Sequence, residues 1–275
     1  MISRSQLKFH ETFQPELHYI SKIMELAGGR YSGTKFDISQ KTGIPTGIQK
    51  GKVEPTIKYA AYMGLVEYTY TKGEYELYLT PLGKEIYRQD RYLHEPLSHW
   101  VCHYGLCCTH SGAPQWAFLV NGVHYHPNET ITSEYLHTLA KQHFRLDISF
   151  EELFGVVKRT FTDGCFSDLS FLSWSDTLLF HELPENPELL FVYAYALLKS
   201  WESLLVDKNE ITVIEASEAL HFHNAFGLHN DEFLDILDQL SDHGVVAVNR
   251  QLFPATIIRL ANAEAIIPKL YSNLL

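Results

Sequence analysis

The sequence predicts a mainly α protein with small β-hairpins, an α+β chain, on three observations. Capping residues recur just before apolar stretches of helical period, and β-rich runs come in adjacent pairs. The order of elements at the N-terminus also returns at the C-terminus. Together they divide the 275 residues into an N-terminal winged helix-turn-helix (1–92), a helical middle domain (93–208) and an acidic winged-helix-like module (209–275).

The first helix is expected from about Glu16 to Ala27, where Leu17, Ile20, Ile23, Met24 and Ala27 fall at helical spacing and Gly28-Gly29 supplies the stop. A second starts at Thr34, whose hydroxyl caps the first turn with Asp37 in the third position, and ends at Gly43. The run Gly43-Ile44-Pro45-Thr46-Gly47-Ile48-Gln49-Lys50-Gly51-Lys52 holds too much Gly and Pro to be helical and is a loop. A third helix takes Pro55 at its first position and stops at Gly64. Its buried stripe is Ile57, Ala60 and Ala61, which leaves Thr56, Tyr59 and Tyr62 facing elsewhere. Two β-rich runs, from Val66 to Thr71 and from Tyr75 to Thr80, are joined by Lys72-Gly73-Glu74 and read as a hairpin. A further helix begins at Pro81. Helix, helix, loop, helix and two-stranded wing is the order of a winged helix-turn-helix.

From about Tyr92 to Glu182 the chain reads as short helices between loops, the clearest starting at the Ser149/Glu152 capping box with Leu153, Val156 and Val157 on its apolar face. The stretch from Leu189 to Leu205, apolar nearly all round, is a central buried helix. In the last third, Thr212 and Glu215 make another capping box, Asn230 caps a helix that stops at Gly244, and two short strands follow, at 245–248 and 256–260. Met63-Gly64-Leu65-Val66 and His243-Gly244-Val245-Val246 occupy equivalent places.

Charge separates the two copies. The net formal charge is -11, yet residues 1–92 hold 13 Lys and Arg against 10 Asp and Glu, while 93–275 hold 9 against 23. Between Arg30 and Lys58 there are six basic residues and two acidic ones, a patch where an anion would dock. The corresponding C-terminal helix carries Asp231, Glu232, Asp235, Asp238 and Asp242 with no basic residue, so phosphates repel it. That module is read as protein-contacting or as scaffold.

The longest apolar run, Leu189 to Leu198, is far short of the roughly 20 residues a spanning helix needs, so no membrane role is expected. Cys102, Cys107, Cys108 and Cys165 lack the spacing of a disulfide framework, which fits a reducing cytoplasm. No Walker A loop, dinucleotide-binding glycine fingerprint or Gly-x-Ser-x-Gly elbow is present.

Double-stranded DNA is the expected partner of the basic loop and hairpin. Lys50, Lys52 and backbone N–H groups of the Gly-rich turn are placed on phosphates, Thr46, Gln49, Thr56 and Tyr59 toward base edges or sugars, and Lys35, Lys58 and Lys72 complete the DNA-binding set. Ahead of the first helix, Phe9-His10-Glu11-Thr12-Phe13 sets a His and a carboxylate between two aromatic anchors. His10 and Glu11 form either a catalytic acid–base pair or a plug that hydrogen-bonds backbone. On a helix, His99, Cys102 and His103 would share a face fit for a metal, but paired Cys-x-x-Cys units are missing. His124/His126 and His221/His223 have strand-like spacing without a third ligand. Asp147, Glu151, Glu152, Asp163, Asp168 and Asp176 are the carboxylates available for Mg²⁺ or Mn²⁺ in phosphodiester cleavage, and their spacing matches no nuclease signature.

Two strings carry a family resemblance: Phe9-His10-Glu11-Thr12-Phe13, and Gly43-Ile44-Pro45-Thr46-Gly47 continuing through Gly51-Lys52-Val53-Glu54-Pro55 to Lys58-Tyr59-Ala60 and Met63-Gly64-Leu65. They resemble a bacterial family of unknown function, SspB-like in its best-known members, often encoded in DNA phosphorothioation cassettes. The resemblance implies DNA binding within a modification or defence complex, with other proteins of that complex as partners. For SspB-like members it also implies nicking of one strand. The family's His-Glu pair maps onto His10 and Glu11 without a role to carry over. The sequence thus leaves two readings: a DNA-binding component that nicks with Mg²⁺ or Mn²⁺, or a non-enzymatic winged-helix adaptor or regulator, either of them compatible with a homodimer.

Overall fold

In the computed structural model, which describes residues 2–123, 128–228, 230–251 and 253–274, local capping chemistry sets where most elements begin. A short helix α1 (Arg4–Leu7) precedes α2 (Leu17–Gly28). Strand β1 (Ser32–Thr34) ends on the residue that caps α3 (Lys35–Thr42): Thr34 accepts from the Asp37 backbone N–H and Asp37 reaches back to Thr34. Gly43, at φ 71, closes the helix in the left-handed conformation that glycine adopts without strain. After the loop comes α4 (Val53–Tyr62), which starts two residues before the expected Pro55. Proline is tolerated there because first-turn N–H groups have no intrahelical partner. Strands β2 (Val66–Thr71) and β3 (Glu74–Leu79) form a hairpin whose turn, Lys72-Gly73, has φ 54 and 90, the signs a type I′ turn requires. Helix α5 (Pro81–Gln89) is capped by Thr80.

Next come α6 (Pro96–Cys107) and α7 (Pro114–Ala117), then β4 (Thr130–Thr132), α8 (Ser133–Phe144), α9 (Phe150–Thr162), β5 (Leu172–Trp174) and β6 (Thr177–Phe180). The stretch expected to be helical therefore holds a sheet as well. Its strands of three and four residues are too short to display the alternation by which a strand is read from sequence. Helix α10 (Leu190–Leu204), buried along most of its length, leads to β7 (Glu210–Thr212), α11 (Val213–Leu220), α12 (Asn230–Asp242), β8 (Val246–Asn249), β9 (Thr256–Arg259) and α13 (Ala263–Ile266).

One topology thus occurs three times. The sheets run β1-β3-β2, β4-β6-β5 and β7-β9-β8, each a hairpin whose second strand also pairs antiparallel with a short strand placed two helices earlier. In all three the last residue of that short strand is a threonine that caps the next helix: Thr34, Thr132 and Thr212. It also pairs with the first residue of the last strand, at Glu74, Thr177 and Thr256. A continuous apolar core joins the units. No described helix is long and apolar enough to cross a membrane.

Two glycines set how closely the first unit packs on the rest. A Cβ at Gly105 in α6 would lie 2.6 Å from Met63 O, and one at Gly83 in α5 would lie 1.8 Å from Leu65 O. We expect Gly105→Ala and Gly83→Ala each to destabilise by about 1–3 kcal/mol through overpacking. Gly29→Ala, whose nearest neighbour stands at 3.5 Å, should stay within about 0.5 kcal/mol of the parent. Urea denaturation of the three variants checks this, and equal losses would refute the close helix approach.

Candidate nucleic-acid interface

The loop between α3 and α4 is built from its ends inward. Ile44 is buried, Ser39 Oγ donates to Ile44 O at 2.7 Å, and Lys22 Nζ reaches across from α2 to Thr42 O at 2.7 Å. Lys52 N–H donates to Pro45 O at 2.8 Å and closes the ring. Inside it Gly51 lies on Thr46, where a Cβ would fall 2.4 Å from Thr46 Oγ1, so only glycine fits. The tip, Ile48, Gln49 and Lys50, is exposed, Ile48 at 88%.

The expected DNA contacts divide into two groups. Gln49, Lys50 and Lys72 are exposed, Lys58 is half-buried on α4, and none of the three lysines has an ion pair among the described residues. Lys35 and Lys52 are already engaged. Lys35 Nζ lies 3.2 Å from Glu54, and Lys52 Nζ lies 2.6 Å from Glu16 while sitting over the Phe13 and Tyr19 rings. Glu54 also accepts from Tyr75 Oη at 2.9 Å. Burial raises its pKa, but the hydrogen bonds from Tyr75 and Lys35 and the charges of Lys35 and Lys58 outweigh this and hold the carboxyl below its ordinary value. Glu54 thereby joins α3, α4 and the hairpin.

Thr56 and Tyr59 correct the sequence expectation. Tyr59 is 1% exposed, its ring packed edge-on against Phe9 and Trp116, and its hydroxyl donates to Phe13 O at 2.9 Å. Thr56 is buried with its hydroxyl on Lys52 O at 2.6 Å. Helix α4 is covered on more of its circumference than its aliphatic residues alone suggest, so neither side chain faces solvent. Thr46 is half-buried, its Oγ1 enclosed beside Gly51.

The His-Glu motif supports this loop from below. Glu11, in the left-handed region at φ 57, accepts from Gly51 N–H at 3.3 Å. His10 is 3% exposed, between Phe9 and Trp116, and burial, with the charges of Arg159 and Lys8, lowers its pKa to about 4. The expected acid–base pair is therefore split, with a neutral histidine in the core and a carboxylate tied to the loop backbone. Helix α9 fastens the same segment. Arg159 donates to Thr12 O at 3.1 Å, and Glu152 pairs with Lys8 and with Arg4. The Lys8 hydrogen bond, with those from Ser149 N–H and Arg4, draws Glu152 down to about 2. Sequence spacing gave no sign of Gln115, whose Nε2 lies 3.4 Å from His10 Nε2, or of Trp116 and Arg159, all over a hundred residues from the motif.

The candidate metal ligands do not converge. Among the described residues no group of three His, Cys, Asp or Glu side chains stands in position to hold an ion. His99 engages Leu93 O at 2.8 Å, His103 is buried on Ala225 O at 2.7 Å, and Cys102 is buried. Glu151 pairs with Arg159 and Asp147 with Lys141. Asp163 and Asp168 line an open cleft with His94 and His99, and the Asp176 backbone carbonyl accepts from Ser133 Oγ at 3.0 Å. His124 and His126 lie outside the described residues. These donors do not fit the Mg²⁺ or Mn²⁺ site that strand cleavage would need.

A helix-rich α+β chain, with three like sheets and a glycine-closed loop whose Lys50 makes no ion pair among the described residues, is the class of protein these features define. Residues 8–152 match the family described as a protein of unknown function, DUF4007, and as this is more than half of the chain, the protein belongs to that family. Its fold is similar to two crystal structures of SspB. The magnesium ion-bound one has a TM-score of 0.76 and the other 0.74, each at 16% identity and covering 97% of this chain and 88% of that one. No curated protein matches the sequence.

Burial also holds His103 and His223 down to about 4, as it does His10. Above the unfolded-state value of about 6.5 these histidines are neutral in both states. Below it the unfolded chain takes up protons that the fold refuses, so stability is complete above that value and is lost as pH falls from there toward 4. Near pH 5 unfolding should take up about 2–3 protons from these groups, each costing roughly 1.4 kcal/mol per pH unit. Urea unfolding at pH 7, 6 and 5 measures the slope, and a flat profile would contradict neutral burial.

Proposed function

We propose that the chain docks on double-stranded DNA through a winged helix-turn-helix at 1–92, as the binding component of a DNA phosphorothioate-modification or related defence complex in the cytoplasm. The observation that carries this reading is the division among the lysines. Lys35 and Lys52 are consumed in holding the loop, while Lys50 on the loop, Lys58 on α4 and Lys72 on the hairpin turn make no ion pair among the described residues. In an acidic protein, unpaired cations on loop, helix and wing are suited to phosphate. The likeness to SspB structures and the DUF4007 membership support the setting.

The other two units serve differently in this reading. Helix α9 of the middle domain (93–208) is fastened to the N-terminal segment, and α12 of the module at 209–275 carries exposed Asp235 and Asp242, with Asp238 held by Arg250 at 2.6 Å. We assign the acidic module to partner proteins of the complex. Because His10 and Glu11 are held apart and no three metal donors converge among the described residues, the proposal stops at binding and leaves out nicking.

Lys50→Ala, Lys58→Ala and Lys72→Ala should each weaken duplex binding and reduce the slope of log K against log salt by about 0.9 per lost phosphate contact. Lys35→Ala and Lys52→Ala should lower stability and leave the slope nearly unchanged. Fluorescence anisotropy across a salt series separates the two classes. A homodimer on a palindromic site would double each decrement, and an unchanged slope in the triple variant would remove the assignment.

A further inference from the structure

Away from the basic loop, a cavity of about 490 Å³ lies where the α4–β2 corner, the end of α6, α10 and α13 meet. Cys108, the C-cap of α6, is on its wall. Its Sγ stands 3.2 Å from His110 Nδ1 and 3.7 Å from Tyr104 Oη. The backbone from Cys108 to Gly112 is fixed: Gly112 N–H donates to Cys108 O at 2.8 Å, and a Cβ at Gly112 would fall 2.4 Å from Leu106 O. Opposite lies Tyr195, 8% exposed, whose hydroxyl has no hydrogen-bond partner among the described residues. Burial, and then the negative charges that Cys108 and Glu202 can carry, push its pKa up, and it lines the same cavity as Cys108. The other charged groups facing the cavity are Lys199, Glu67 and Glu264, and Lys199 makes no ion pair among the described residues.

We propose that Cys108, with His110 and Tyr195, is an oxidant-reactive thiol site that takes a small hydroperoxide. The thiolate attacks the terminal peroxide oxygen, an S–O bond forms and the O–O bond breaks. The departing oxyanion takes a proton from the His110 imidazolium. Sulfur is oxidised by two electrons to sulfenic acid, and the peroxide is reduced to water or an alcohol. Tyr195 is placed to donate to a peroxide oxygen.

The other thiols are internal controls. Burial pushes Cys102, Cys107 and Cys165 up. At Cys108 the same burial is outweighed by the His110 hydrogen bond and charge, which bring the thiol to about 7. Removing His110 leaves the burial without its main opponent, so the thiol rises at least to an ordinary value of about 8.5, where at neutral pH it is about 16-fold less ionised. Its higher intrinsic nucleophilicity recovers about 5-fold, leaving a net loss of about 3-fold or more.

The full chain is treated with hydrogen peroxide and dimedone at pH 7, and adducts are mapped by peptide mass spectrometry. We expect Cys108 to carry the adduct while the other three stay unmodified, His110→Gln to slow it about 3-fold or more, and Tyr195→Phe to slow it without changing iodoacetamide alkylation. Adducts spread over the four cysteines, labelling of Cys108 only in urea, or an unchanged rate in His110→Gln would each overturn the proposal.

Discussion

The first unit hangs on Tyr59. Its ring closes a cluster with Phe9 and Trp116, centroids 5.0 and 5.8 Å away, and its hydroxyl holds Phe13 O. Aromatic contact adds about 0.5–1.5 kcal/mol to the burial itself, and the hydroxyl spares a buried carbonyl the cost of having no donor. Through that residue α4 is locked to the N-terminal segment and to α7, so the helix cannot turn to present its other side. Lys58 and the loop that leads into α4 are consequently the parts left facing outward.

The three repeated units share one topology and differ in what covers the second helix of each. Helix α4 is braced from within and keeps its one lysine, Lys58, out of any ion pair among the described residues. Helix α9 is fastened from outside by Arg4, Lys8 and Thr12, and its Glu152 and Arg159 are spent in doing so. Helix α12 is acidic and pairs one carboxylate with the adjacent hairpin through Arg250. The sheets and threonine caps are the same in kind throughout, which locates the divergence in side-chain charge and not in the backbone.

What the sequence made legible was local. The boxes at Thr34/Asp37, Ser149/Glu152 and Thr212/Glu215 are three-residue interactions, and all three form as read. Gly43, Gly64 and Gly244 stop their helices because the left-handed backbone suits them. The middle sheet was missed because Thr130–Thr132 pairs with a strand some 45 residues later and has too few residues for a pattern. At the candidate interface the basic character could be read, but not its allocation. Whether a lysine is free or spent depends on Glu16, 36 residues from Lys52, and Glu54, 19 from Lys35. Burial of His10 and Tyr59 likewise depends on Trp116, which no spacing rule connects to the motif.

The contact of Gly51 on Thr46 bears on the thermodynamic character of any encounter at that surface. A loop closed by Lys52 N–H on Pro45 O and underpinned by Glu11 is ordered before a ligand arrives. A glycine-rich segment would otherwise lose more freedom on being immobilised than any other sequence of its length. Because this one is already set, association there proceeds as docking of a rigid template, without the heat-capacity change that accompanies folding on binding.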